Sequence, residues 1–256
     1  MTLQASGAIT LQEINAEFGL GTNLNAYRGQ TYWRDDGTSG TFPSGAISMS
    51  DFYSTRLTEP KGFSYLGGVA NGGSISFGAE SPSRLIVVAI CATLNTSITV
   101  TGVTIGGVSG SIAAQVTKGG NSINPTSAIV YALVPTGASG TVSVNFSSGQ
   151  STLVMLVYRV VGCSQTPSDT AIDASGSDLL NLDIPSGTGF AVAASTQVSG
   201  ASQSWTGLTQ RYEIGANSTV HDVADSNGFL SQQANRAISA TGGNSTNGNS
   251  VSAVWG

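Results

Sequence analysis

A single histidine, His221, sits in the run Val220-His221-Asp222-Val223-Ala224-Asp225. A hydrolytic triad needs a nucleophile, an imidazole and an orienting acid brought together in space. No Gly-x-Ser-x-Gly elbow is present, and serine is so common here that one near His221 would carry no information. His221 therefore reads as an exposed strand or loop residue. Two cysteines, Cys91 and Cys163, lie in or just after apolar runs without a Cys-x-x-Cys partner. They read as buried free thiols, and one His with two remote Cys does not make the usual zinc site. Paired acids for glycoside hydrolysis could come from Asp169, Asp173, Asp178, Asp222 and Asp225. All five stand in turn-like contexts, where Asp commonly bonds its own backbone, so no enzyme is expected. Asp222, Asp225 and Asn227 before Gly228 offer closely spaced oxygen ligands for calcium. The full acidic loop and its distal Glu are missing, so they read as solvated loop side chains, and neither metal nor cofactor is expected. Sugar rings stack on exposed aromatics. Trp205 and Tyr212 are the candidates for glycan contact, while Trp255, like them, is favoured for core packing.

The composition says what must position such residues. Of 256 residues only 9% are charged, against roughly 25% in an average protein, and 34 are Gly. Low charge with abundant Gly, Ser, Thr and Asn predicts many short strands joined by tight turns, an all-β chain. The net charge is −5 and the pI about 4.6, and the nine cations do not cluster. Neutralising phosphates needs clustered Lys and Arg, so neither nucleic acid nor an anionic membrane is an expected partner. The longest apolar runs, 85–92 and 153–158, fall short of the ~20 residues that cross a bilayer. The opening MTLQASGAIT has no basic region or apolar stretch, so no signal peptide is read and synthesis in a cytosol is expected.

From residue 59 onward the pattern is strands throughout. Residues 74–77, 141–146, 180–184 and 209–214 alternate polar and apolar, as half-buried strands do. Residues 85–94, 128–134, 153–161 and 189–194 are nearly continuous apolar runs, the mark of strands shielded on both faces. The expectation is one antiparallel β-sandwich of jelly-roll type over 59–256. Residues 251–256 alternate again and read as a strand tied into a sheet, preceded by an exposed turn-rich loop at 240–250.

Residues 1–58 differ. SGAITLQEI at 6–14 recurs as SGAISMSDF at 44–52. Thr10 with Glu13, and Ser48 with Asp51, have the spacing of reciprocal helix caps, with Ile9 and Ile14, then Ile47 and Phe52, as hydrophobic staples. Between the copies, Asp35-Asp36-Gly37 signals a small hairpin or ordered loop. The result is a small module of two short helices and a connector. Its aromatics are too many for so short a segment to cover, so they either pack against the rest of this chain or dock onto a partner, for which Ile14, Phe18, Tyr27, Tyr32, Trp33, Phe42, Phe52 and Tyr53 are the candidates.

The pair SGAITLQEINAEFG and SGAISMSDFYSTR, split by an aromatic, Gly-rich connector, resembles a module near the start of many tailed-bacteriophage structural proteins. The likeness covers about the first quarter of the chain. The connector here is longer and carries Trp33-Arg34-Asp35-Asp36. VTIGGV at 103–108 and ALVPTGASGTVSVNF at 132–146 are similar to β-sandwich segments of phage virion proteins. The resemblance implies a virion-surface protein of fibre or spike type, attached by its N-terminal module and facing the host with its β domain. Capsid decoration or cement is the alternative, and a glycan-cleaving enzyme a distant one. The implied partners are capsid, portal-proximal or tail proteins and further copies of the chain, a trimer before a pentamer, with a host glycan as a further contact.

Overall fold

The computed structural model describes residues 2–119, 122–176, 179–198, 202–216, 218–241 and 248–256. Asp178 and most of the turn-rich loop expected at 240–250 lie outside the described residues. The composition change places a boundary at 58; the compact units divide at Gly62, into Met1–Gly62 and Phe63–Gly256.

In the first unit, helix α1 (Leu11–Phe18) starts at a reciprocal cap. The Glu13 amide donates to Thr10 Oγ1 at 3.2 Å, and the Thr10 amide to Glu13 Oε2 at 2.7 Å. Gly19 ends the helix at φ +74°, a conformation that favours glycine. In the second copy the Ser48 amide donates to Asp51 Oδ2 at 2.7 Å, but only a single 3₁₀ turn, Met49–Phe52, follows. Ser54 at φ +56° breaks it, and the chain pairs with the N-terminal segment through Leu3 N–H to the Thr55 carbonyl at 2.9 Å. Strands β1 (Thr31–Trp33) and β2 (Ser39–Thr41) form the hairpin, whose turn is held by Asp36 Oδ1 accepting from the Thr38 amide.

The second unit contains only strands among its described elements. Sheet one orders β4 (Gly73–Ser76), β10 (Ser139–Phe146), β6 (Val100–Ile105) and β7 (Val108–Ser109). Sheet two orders β3 (Gly62–Gly68), β11 (Thr152–Val161), β5 (Leu85–Leu94), β9 (Asn124–Leu133) and β8 (Ser111–Thr117). Sheet three orders β12 (Asp169–Asp173), β18 (Gly248–Trp255), β13 (Leu179–Val198), β16 (Thr219–Asp225) and β15 (Thr209–Ala216). The first half of β13 pairs with β17 (Leu230–Thr241), which pairs with β14 (Ser204–Thr206). Register shifts at Ile184, before Pro185 and Gly187 at φ +95°, bend β13 so that these strands lie over sheet three as a fourth layer.

The expected two-sheet jelly roll is therefore replaced by a stack, and the reason is in the apolar runs. Alternate residues of one strand point to opposite faces. Leu85, Val87, Ala89 and Cys91 pack against Phe190, Val192 and Trp255 of sheet three. Ile86, Val88 and Ile90 pack against Val103, Ile105 and Val142 of sheet one. A strand apolar on both faces needs a sheet on each side, which a two-layer sandwich does not supply. The outermost interface joins Leu180, Leu182, Ile184 and Ile238 to Ala191 and Val254.

Candidate functional site

The docking candidates fold inward. Ile14, Phe18, Tyr27, Phe42 and Phe52 form the buried core of residues 1–62, and Tyr32, Trp33 and Tyr53 are half-buried. Phe18 meets Phe42 edge-on at 5.4 Å between centroids, and Phe52 meets Tyr27 at 5.3 Å. The expectation that so short a segment cannot cover these rings is overturned, because they cover one another. What stays open is a groove of about 330 Å³ beside α1, lined by the apolar Leu3, Ile9 and Ala16 and by the acidic Glu13 and Glu17. The Thr10 hydroxyl and amide hold the Glu13 carboxyl below its ordinary pKa. Leu20 (42% exposed) and Leu57 (49%) are the large apolar side chains the unit shows to solvent.

In the second unit the glycan candidates separate. Tyr212 packs on the side of sheet three that faces sheet two, Trp205 on the opposite side with the fourth layer, and Trp255 is fully buried against Tyr131. The calcium candidates separate as well. Asp222 and Asp225 are buried on β16, not solvated in a loop. Asp225 and Asn227 are both taken by Arg211, whose Nη2 donates at 2.9 Å and 2.6 Å. The guanidinium stands where a cation would, and among the described residues no group of three or more His, Cys, Asp or Glu side chains could hold a metal. Asp169 and Asp173 do bond local amides, those of Thr170 and Ser175.

His221 is fully buried, against the expectation of an exposed side chain. Its Nε2 lies 2.9 Å from Thr152 Oγ1 and 3.3 Å from Thr219 Oγ1, and Nδ1 has no acid to orient it. Burial pushes its pKa down to about 4, so the ring is neutral and a poor base. Both cysteines are buried thiols outside any disulfide, and burial pushes the Cys91 thiol up to about 12.

The opposite face of β16 gathers a different set. Asp222 stands directly across from Glu213 on one side and Ser195 on the other. Gln210 Nε2 donates to Asp222 Oδ2 at 2.7 Å, the Gln203 amide to Glu213 Oε2 at 2.5 Å, and Gln203 Nε2 to Ser195 Oγ at 3.3 Å. Burial, with a smaller push from Glu213, raises the Asp222 pKa to about 7, although Trp205 and Gln210 pull the other way. Sequence spacing could not show this set, because Gln203, Glu213 and Asp222 meet only through strand pairing and the chain reversal before β15.

His221 and Asp222 oppose each other in pH dependence. His221 takes a proton unfolded at 6.5 but folded only near 4, so its contribution is lost as pH falls through that window. Asp222 keeps a proton when folded that the unfolded chain sheds near 3.8, so its contribution is lost as pH rises through about 7. Urea midpoints are expected to vary little across the shared window in the wild type. They should fall with rising pH in His221→Asn and rise with pH in Asp222→Asn.

Among the described residues no helix is long and apolar enough to cross a membrane. No family model, curated protein or solved structure matches the chain.

Proposed function

We propose that the chain is a structural component of a bacteriophage particle, a surface fibre or spike that attaches by its N-terminal module and presents its β unit to the host. Support comes from the two reciprocal caps at Thr10 and Ser48, which lie in the residues that resemble the phage module and frame an aromatic core of the module's own. A module that folds on itself meets its partner with its outer surface. The groove beside α1, lined by apolar and acidic side chains, fits an apolar segment of a capsid or tail protein that carries a basic residue. A cyclic homo-oligomer, a trimer before a pentamer, multiplies a weak attachment by valency.

Ala16→Arg fills the groove from an exposed helical position where Arg is well tolerated. The full-length variant is expected to bind particles lacking the protein at least about tenfold more weakly, with an unchanged circular dichroism spectrum. Binding at wild-type strength would remove the groove from the attachment surface. Deletion of the gene separates the two structural roles. Lost adsorption with intact particles supports a fibre or spike, whereas particles made fragile to heat support decoration of the shell.

A further inference from the structure

Asp222 and Glu213 are cross-strand neighbours, an arrangement in which two like charges repel. Asp222 is fully buried and Glu213 half-buried, so water screens the pair poorly. The Gln210 amide reaches both carboxylates, at 2.7 Å and 3.4 Å. Asp222 Oδ1 and Oε1 of Gln203, a residue only 5% exposed, are among the buried oxygen atoms on this face that have no donor. Buried acceptors left this way are costly, and one added proton both supplies a donor and removes a charge.

Other charges do not resolve the pair. Arg236 on β17 is committed to the Gly207 carbonyl at 2.8 Å and to Gln233 Oε1 at 3.1 Å. On this face β13 and β18 contribute the uncharged Ser195, Gln197, Ser250 and Ser252. His221, Asp225 and its partner Arg211 belong to the reverse side of β16.

The segment above the pair is held by two sets of bonds: Ser204–Thr206 pair with β17, and Gln203 just before them is tied to the acid pair's face. Gln203 attaches through its amide to Glu213 and through its side chain to Ser195, and Trp205 stands beside Asp222 with its indole N–H outside hydrogen-bonding geometry. We propose that Asp222 holds a proton beside Glu213 and acts as a pH-operated latch on Gln203 and the start of β14. With the proton in place the pair carries a single charge and Gln203 lies closed on the sheet. When the proton leaves to solvent, a buried charge beside a half-buried one drives hydration of the site next to Trp205, and Gln203 comes off the sheet while Ser204–Thr206 stay on β17. The raised pKa of Asp222, about 7, sets the direction: closed on the acid side of neutrality and open on the alkaline side.

The test is a fluorescence titration of the full chain between about pH 5 and about pH 9, in a Trp33→Phe background that leaves Trp205 and the buried Trp255. Emission is expected to shift to the red with a midpoint near neutrality. Asp222→Asn should abolish the transition and keep the closed spectrum. Glu213→Gln should keep the transition and lower its midpoint by about one pH unit, the effect of removing one neighbouring charge. Protection of the Gln203 amide, its exchange rate corrected for the intrinsic base-catalysed rise with pH, should fall over the same range, a second readout if one variant folds poorly. A flat wild-type titration, or a transition that survives Asp222→Asn, overturns the latch. So does a shift produced by calcium at fixed pH in place of one produced by protons.

Discussion

Arg84→Met is expected to bring residues 63–256 close to unfolding. Arg84 is fully buried, and its guanidinium meets five backbone carbonyls. Nε donates to Val134 at 2.7 Å, Nη1 to Gly78 and Ala79 at 3.0 Å each, and Nη2 to Thr136 at 2.8 Å and Gly137 at 2.7 Å. A guanidinium has five N–H donors in a fixed fork, so every donor is used. Its face also lies 5.8 Å from the centre of the Phe77 ring. Methionine fills most of the volume but strands four acceptors between two loops, since the Ala79 carbonyl keeps Arg159 as a donor, and each orphaned buried group costs about 1–3 kcal/mol. Water can rescue the outer ones. A loss of about 4 kcal/mol remains, a large share of the 5–15 kcal/mol that usually separates folded from unfolded. Urea unfolding measures it. Arg84→Lys, with three donors and no fork, should recover only part of the loss. A midpoint unchanged in Arg84→Met would mean that the two loops hold without this hub.

Phe52→Ala is expected to unfold the N-terminal module while leaving the β unit intact. Phe52 is fully buried and touches Phe18, Tyr27 and Phe42, the last at 4.4 Å between ring centres. Removing a buried Phe side chain costs about 3–5 kcal/mol. A unit of this size buries little surface and has few kilocalories to lose. Limited proteolysis should then cut within residues 1–62 and spare 63–256, and attachment to particles should disappear with the module. Resistance of the module to protease in Phe52→Ala would show that its rings are redundant.

What the sequence discloses depends on how local the cause is. The Thr10 and Ser48 caps are legible because donor and acceptor lie three residues apart. The all-β class is legible in the period-two segments, and the strands of sheet two in their unbroken apolar runs. The number of layers is not legible. Leu85 and Ile86 look alike in a string, and only the fold sends one to sheet three and the other to sheet one. The run from His221 to Asp225 reads as a loop because polar residues fall on both faces. Its burial rests on partners far along the chain, Thr152 for the imidazole and Arg211 for Asp225. The module's aromatics mislead for the opposite reason. Their number suggests a sticky surface, yet edge-to-face and tilted packing of Phe18, Tyr27, Phe42 and Phe52 consumes it.

The bend in β13 has a mechanical consequence. One strand is bonded to β17 over its first half and to β16 and β18 over its second. A tensile load carried by this strand is shared between two layers. Neither layer can peel away alone, because both ladders must slip past their neighbours together. Antiparallel ladders pulled along their length resist as a row of bonds loaded in parallel. The two layers that β13 joins should yield together in one abrupt rupture in place of a series of small steps.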